Sequence, residues 1–177
     1  MVKKSDFIFS ILVIVLFFLV ILGINTNILY SSLGLLLGYV SSYSMEPTLH
    51  IGDALIIIKT KPDDLKIGDI IVYQRFGSDR IVHRIINKTF IEGSYRFLIK
   101  GDANPNPDPG MISWDPSTWL KEQYILGKVV IVIPYIGVIP LYLEKNTIAY
   151  YTILSILVLT FFFTLFNDLF RNKSSEN

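Results

Sequence analysis

Three kinds of side chain that can do acyl chemistry follow one another along this chain. They are a serine cluster at Ser41, Ser42 and Ser44, a histidine at His83, and aspartates at Asp102 and Asp108. Ser44 lies in Ser41-Ser42-Tyr43-Ser44-Met45-Glu46-Pro47-Thr48, after an apolar run and before Gly52-Asp53. A serine at a strand-to-turn junction can be held by rigid backbone, although most such serines are turn formers. His83 sits in Ile81-Val82-His83-Arg84-Ile85-Ile86, where alternation sets Ile81, His83 and Ile85 on one face and Val82, Arg84 and Ile86 on the other. An imidazole between isoleucines is either a satisfied core histidine or a base carried on a rigid strand. Asp102 and Asp108 belong to Lys100-Gly101-Asp102-Ala-Asn-Pro-Asn-Pro-Asp108-Pro109, where both can serve as turn formers or as partners of a base. Together the three elements suggest acyl transfer. Serine needs an adjacent base, and the base needs a partner that fixes its tautomer and stabilises the imidazolium. Spacing by itself does not show that these groups meet.

Competing chemistries are scarce. The 177 residues include no cysteine, which excludes disulfides, thiol nucleophiles and thiolate metal sites. The two histidines, His50 and His83, leave little for a zinc site, and no metal or cofactor is implied. His50 reads as a surface residue. A formal net charge of +1, with no basic stripe interleaved with aromatics, argues against nucleic acid as a partner.

The elements that must position these groups follow from the apolar pattern. The chain is 51% apolar and only 18% charged, with a mean hydropathy of +0.50, too apolar for an ordinary soluble domain. Phe7 to Ile24 and Ile148 to Phe166 are uncharged runs, each long enough as a helix to match the roughly 30 Å hydrocarbon core. Lys3 and Lys4 precede the first run, and Arg171 and Lys173 follow the second, so both ends read as cytoplasmic. The expected organisation is a cytoplasmic N-terminus (1–6), a transmembrane helix (7–27), an extracytoplasmic domain (28–145), a second transmembrane helix (146–167) and a cytoplasmic tail (168–177).

The middle segment carries short β-branched runs at Ala54–Ile58, Asp69–Tyr73, Arg80–Ile86, Tyr95–Ile99 and Lys128–Ile133, separated by turn signals such as Gly52-Asp53, Gly68-Asp69 and Glu92-Gly93-Ser94. This predicts a mainly β domain flanked by the two membrane helices. Asn104 to Gly110, with three prolines, must be a loop. The uncharged stretches 28–40 and 129–143 predict either core strands or an exposed apolar face resting on the membrane; Pro134 and Pro140 make a spanning helix unsuitable for the second.

At this point the residues resemble a family: type I signal peptidases, in the Ser-His-Asp branch found in archaea, the endoplasmic reticulum and some Gram-positive bacteria. The resemblance covers roughly residues 30–140. It rests on Ser44-Met-Glu-Pro-Thr48 followed by Gly52-Asp53, Gly68-Asp69-Ile-Ile-Val-Tyr73, Val82-His83-Arg84-Ile85, Lys100-Gly101-Asp102, Gly127-Lys128-Val129 and Pro134-Tyr135-Ile136-Gly137. It implies a signal-peptidase-like β fold. It also implies Ser44 as nucleophile, His83 as base, Asp108 as the favoured partner of His83, and Asp102 as the second choice or a loop organiser. Ser42, with the Ser44 N–H, is implied as the oxyanion site. Tyr43 departs from the glycine usual between the two serines. The implied function is a two-pass, membrane-anchored serine endopeptidase that removes signal peptides from exported preproteins after small residues. It would lie in the cell membrane, or in the endoplasmic reticulum membrane of a eukaryote, with the bilayer and the export channel as partners. A peptidase with a dedicated substrate set and a non-catalytic binder of exported segments are the alternatives.

Overall fold

The computed structural model describes residues 33–74 and 79–173, together with 9–11, 13, 14 and 17. The chain divides into two compact units, Asn27–Leu141, and Met1–Thr26 with Tyr142–Asn177.

Among the described residues the first unit is built on one antiparallel sheet of seven strands, β1 (Leu35–Tyr39), β2 (Ala54–Ile58), β3 (Ile70–Tyr73), β4 (Ile81–Ile91), β5 (Ser94–Lys100), β6 (Leu120–Lys121) and β7 (Ile125–Ile133). Their spatial order is β1-β2-β7-β3-β4-β5-β6. The β-branched runs supply the strands, because branched side chains pack well on a pleated surface. The longest hairpin, β4 to β5, turns through Glu92 and Gly93, both with positive φ (51° and 76°). That conformation suits a two-residue hairpin turn matching the strand twist. Single 3-10 turns stand at Pro62–Asp64, Pro116–Thr118 and Glu122–Tyr124.

Strand alternation divides the buried apolar residues into two clusters. One contains Ile71, Tyr73, Ile85, Phe97 and Ile99, closed by Leu65, Trp119 and Leu120. The other joins Leu36, Val40, Met45, Leu49, Leu55, Ile57 and Val72. His83 and Tyr73 share the face of the first cluster, since Ile71 pairs with His83 and Tyr73 with Ile81 in the register of β3 and β4.

The 129–143 stretch is not a core strand. Val130, Ile131, Val132 and Ile133 are exposed at the end of β7. The chain then turns and forms a short helix, α1 (Val138–Lys145), with Pro140 in its first turns, where a missing N–H removes no intrahelical bond. Within 28–40, by contrast, Leu36 and Val40 are buried in the second cluster.

In the second unit a helix, α2, runs from Thr147 to Lys173. Its window Thr147–Thr164 has a mean hydropathy of 1.8 with no residue buried, and it is the one helix among the described residues long and apolar enough to cross a membrane. It extends beyond the apolar run read from the sequence. The expected first span, 7–27, lies outside the described residues except at Phe9–Ile11, Val13, Ile14 and Phe17, which are helical. Phe17 stacks on Phe161 of α2 at 5.7 Å.

Candidate active site

Ser44 follows β1 at a chain reversal. Val40 N–H donates to Asp53 O, Gly52 N–H donates to Val40 O, and Leu49 N–H donates to Met45 O, so the turn carrying the serine is tied back to the start of β2. Met45 and Leu49 bury themselves in the second cluster on either side of the cis Glu46–Pro47 bond. The backbone around the hydroxyl is thus fixed by main-chain bonds and apolar anchors.

His83 Nε2 lies 3.1 Å from Ser44 Oγ, and its Nδ1 lies 2.7 Å from Asp108 Oδ2. The ionised carboxylate can only accept, so Nδ1 carries the proton and Nε2 is left to accept from the Ser44 hydroxyl. His83 and Asp108 are both buried, at 7% and 3% exposure. Asp108 Oδ1 is also 2.7 Å from Nδ1 but off the line of the N–H, and it has no hydrogen bond among the described residues. The second bond to Oδ2 comes from the Tyr73 hydroxyl. The loop that delivers Asp108 leaves β5 at Gly101 and returns so that Asp108 N–H donates to Ile99 O, 3.0 Å. The three prolines stiffen that excursion.

Asp102 stands elsewhere. Arg84, one residue beyond His83 and therefore on the opposite face, donates Nε to Asp102 Oδ1 (2.8 Å) and Nη2 to Oδ2 (2.6 Å). Thr48 Oγ1 also donates to Oδ2, 2.6 Å, and Arg84 Nη1 donates to Gly68 O, 2.7 Å. Arg84's bonds hold the Asp102 carboxyl below its usual value against the opposing pull of burial, and Thr48 adds to the effect. Asp102 in turn raises the guanidinium. This network joins the turn after Ser44, strand β4 and the loop after β5.

Ser42 Oγ is 3.3 Å from Ser44 Oγ. Tyr43, between them, points outward at 68% exposure. His50 is an exposed side chain 3.9 Å from the buried carboxylate of Asp53. Beside Ser44 a cleft of about 110 Å³ opens between Tyr39, Val40, Ser41 and Ser42 on one wall and Arg80, Ile81 and Val82 on the other. Each wall continues a strand edge: Tyr39 ends β1, and Ile81 and Val82 begin β4. Among the described residues β1 has a neighbouring strand on one side only, and the β4–β5 pairing begins at Arg84, beyond Ile81 and Val82.

Three contributors were not singled out in the sequence. Tyr73 ends an ordinary β-run, and only the β3–β4 register places it beside Asp108. Gly101 passes so close that a Cβ there would stand 2.5 Å from Ser44 O and 2.9 Å from His83 Nε2; the signal was a glycine immediately before an acid. Arg84 was visible as the charged neighbour of His83, but its partner was not.

A hydroxyl, an imidazole and a carboxylate in line, beside a cleft with two strand edges, can run nucleophilic acyl transfer on an extended chain. The comparisons with known proteins agree with that class. Residues 6–88 match the family described as "Signal peptidase, peptidase S26". The chain is 36% identical over 123 residues to the signal peptidase complex catalytic subunit SEC11 of Plasmodium falciparum, covering 68% of this chain and 65% of that protein. It is 32% identical over 120 residues to the signal peptidase complex catalytic subunit SEC11C of Homo sapiens, covering 67% and 62%. The chain belongs to the signal peptidase S26 family. It spans somewhat under two thirds of the length of these curated relatives.

Proposed function

We propose that this chain is a membrane-anchored serine endopeptidase that removes signal peptides from exported preproteins. The observation that carries the proposal is the alignment Ser44 Oγ, His83 Nε2, His83 Nδ1, Asp108 Oδ2 at 3.1 and 2.7 Å, with His83 and Asp108 buried and Ser44 half-buried beside the cleft. Family membership and the names of the relatives support the substrate class.

The preprotein lies extended in the cleft, its main chain bonding to the edges at 39–42 and 80–82, in the manner of strand addition. Side chains before the cut enter the cleft beside Ser44, about 110 Å³ in volume, and the preference for small ones is what the family resemblance implies. Ser44 Oγ attacks the scissile carbonyl while His83 Nε2 takes its proton. Charge on the carbonyl oxygen is met by the Ser44 N–H and the Ser42 hydroxyl. His83 then gives its proton to the leaving amine, and the C–N bond breaks to an acyl-enzyme. Water, deprotonated by His83, cleaves the ester and restores the serine. Asp108 holds the imidazole in the productive tautomer throughout. Asp102 is a loop organiser in this scheme.

Residues 7–27 and 146–167 are the two membrane spans, 28–145 the extracytoplasmic catalytic domain, and 1–6 and 168–177 the cytoplasmic ends. Cleavage of a preprotein by the detergent-solubilised full chain tests the activity. Ser44→Ala and His83→Ala should each lower turnover by about 10³-fold or more while the protein still inserts. The wild type should lose activity on the acid side as the imidazole takes up a proton; a flat profile between about pH 5 and 8 would remove His83 as base.

A further inference from the structure

Asp108 spends both hydrogen bonds of its productive oxygen at once, one on His83 and one on Tyr73. We propose that Tyr73 is a positioning residue of the catalytic relay, a fourth member whose hydroxyl fixes the Asp108 carboxylate and sets how strongly it draws on the imidazole. The proposal rests on the peptidase reading above.

Four observations lead there. Tyr73 is 2% exposed, so its hydroxyl has exchanged water for protein partners. Its strand is paired to the strand of His83, with Tyr73 opposite Ile81, the residue two before His83 on the same face. The two rings stand 6.4 Å apart, tilted at 49°. Finally, Asp108 Oδ1 makes no hydrogen bond among the described residues. The side-chain hydrogen bonds of the carboxylate among the described residues therefore all fall on Oδ2, from the hydroxyl on one side and the imidazole on the other. Without the hydroxyl, the carboxylate would be held by the very group it is meant to orient.

The physical consequence has a sign. A phenolic O–H pointing at a carboxylate stabilises its negative charge, and hydrogen bonds to charged groups are the stronger kind. A carboxylate so stabilised pulls less on the imidazolium. Removing the hydroxyl leaves a barer carboxylate, so the imidazole should hold its proton to higher pH, while its orientation loosens. Other charged groups on the elements around His83 stay in place. Arg84 and Asp102 hold each other, Lys100 lies beside Asp102, and Asp69 on the β3 side is paired to Lys128 of β7 at 2.7 Å. Asp79 and Arg80 precede β4, Arg80 lining the cleft.

Tyr73→Phe removes one oxygen and keeps the ring that fills the core. In the full chain it should lower kcat about tenfold with KM changed less than about twofold, because orientation is lost and the cleft is not. The acid limb of its pH–rate profile should move to higher pH. A second measurement needs no turnover. The chain has only two histidines, so ring signals of isotope-labelled histidine can be followed by NMR in Ser44→Ala and in Ser44→Ala with Tyr73→Phe. His83 should titrate at higher pH in the double variant, and exposed His50 should not move. An unchanged His83 titration would overturn the proposal even if Tyr73→Phe folded poorly and lost activity. So would a wild-type acid limb and kcat in Tyr73→Phe. If the wild type cuts no preprotein at all, it is the peptidase reading that falls, so the two failures are told apart.

Discussion

Two aspartates six residues apart in one loop have acquired different work because their surroundings differ. Asp108 is enclosed, receives Nδ1–H and a phenol, and touches the imidazole. Asp102 faces a guanidinium and a threonine hydroxyl. Their neutral variants should therefore fail in different ways. Asp108→Asn keeps the shape but presents an amide that donates to Nδ1, stabilising the tautomer in which Nε2 carries the proton and cannot accept one from Ser44. Turnover should fall by about 10³-fold or more. Asp102→Asn should leave kcat within about tenfold of wild type but destabilise the fold by about 1–3 kcal/mol, as Arg84 loses a two-pronged charged partner. The pH dependence of that loss has a definite sign. Arg84 holds Asp102 below its usual value, so its stabilisation is complete above the unfolded carboxylate value near pH 4 and disappears as pH falls through the lower folded value. Thermal unfolding of both proteins, followed by tryptophan fluorescence, should show the gap at pH 7 and its narrowing only in strong acid. A gap that narrowed already at pH 6 would contradict the assignment.

At the scale of elements, the strands were largely legible because β-branched runs and turn glycines agree with one another. β2 occupies Ala54–Ile58, as the pattern predicts. β4 was expected to end at Ile86 and continues to Ile91. The polar triplet Asn87-Lys88-Thr89 hid it, since a lysine in mid-strand looks like a loop. Lys88 is instead saturated by the carbonyls of Pro62, Asp63 and Leu65 at 2.8–2.9 Å, with its ammonium 4.2 Å above the Tyr95 ring. Partners so far away in sequence leave no local signature. β1 was legible only as an apolar run. The juxtaposition of Ser44, His83 and Asp108 was likewise not given by spacing, because it depends on sheet register and on a loop closing over Gly101.

The end of β7 and the start of α1 present Ile131, Ile133, Tyr135, Ile136, Val138 and Ile139 to the outside. An apolar run of that length is costly in water and suits a lipid surface. Ile136→Glu combined with Ile139→Glu should slow processing of a vesicle-borne preprotein about tenfold or more, given about 1.5–3 kcal/mol for each apolar side chain taken out of water. Cutting of a short peptide in detergent should be unchanged. Equal losses on both substrates would point to damaged folding and defeat the membrane-contact argument.

For the whole molecule, the proposed function puts enzyme and substrate in one membrane. Tethering turns a bimolecular encounter in water into a search within a thin layer, which raises effective concentration without a new contact. That advantage requires the catalytic unit to stand on the side where the preprotein emerges. The charge flanks suggest the sense: Lys3 and Lys4 before the first apolar run, Arg171 and Lys173 after the second, all expected on the cytoplasmic side. Residues 28–145 carry 12 basic and 12 acidic side chains and impose no sign of their own. The absence of cysteine makes the arrangement measurable, since any thiol added is the only one present. In spheroplasts expressing the full chain, a membrane-impermeant maleimide should label Ser113→Cys, on an exposed loop of the catalytic unit. Ser5→Cys and Ser174→Cys should react only after the membrane is opened. Labelling of Ser174→Cys from outside would mean that α2 does not cross. Labelling of Ser5→Cys and Ser174→Cys together, with Ser113→Cys protected, would invert the molecule and remove the catalytic cleft from its substrate.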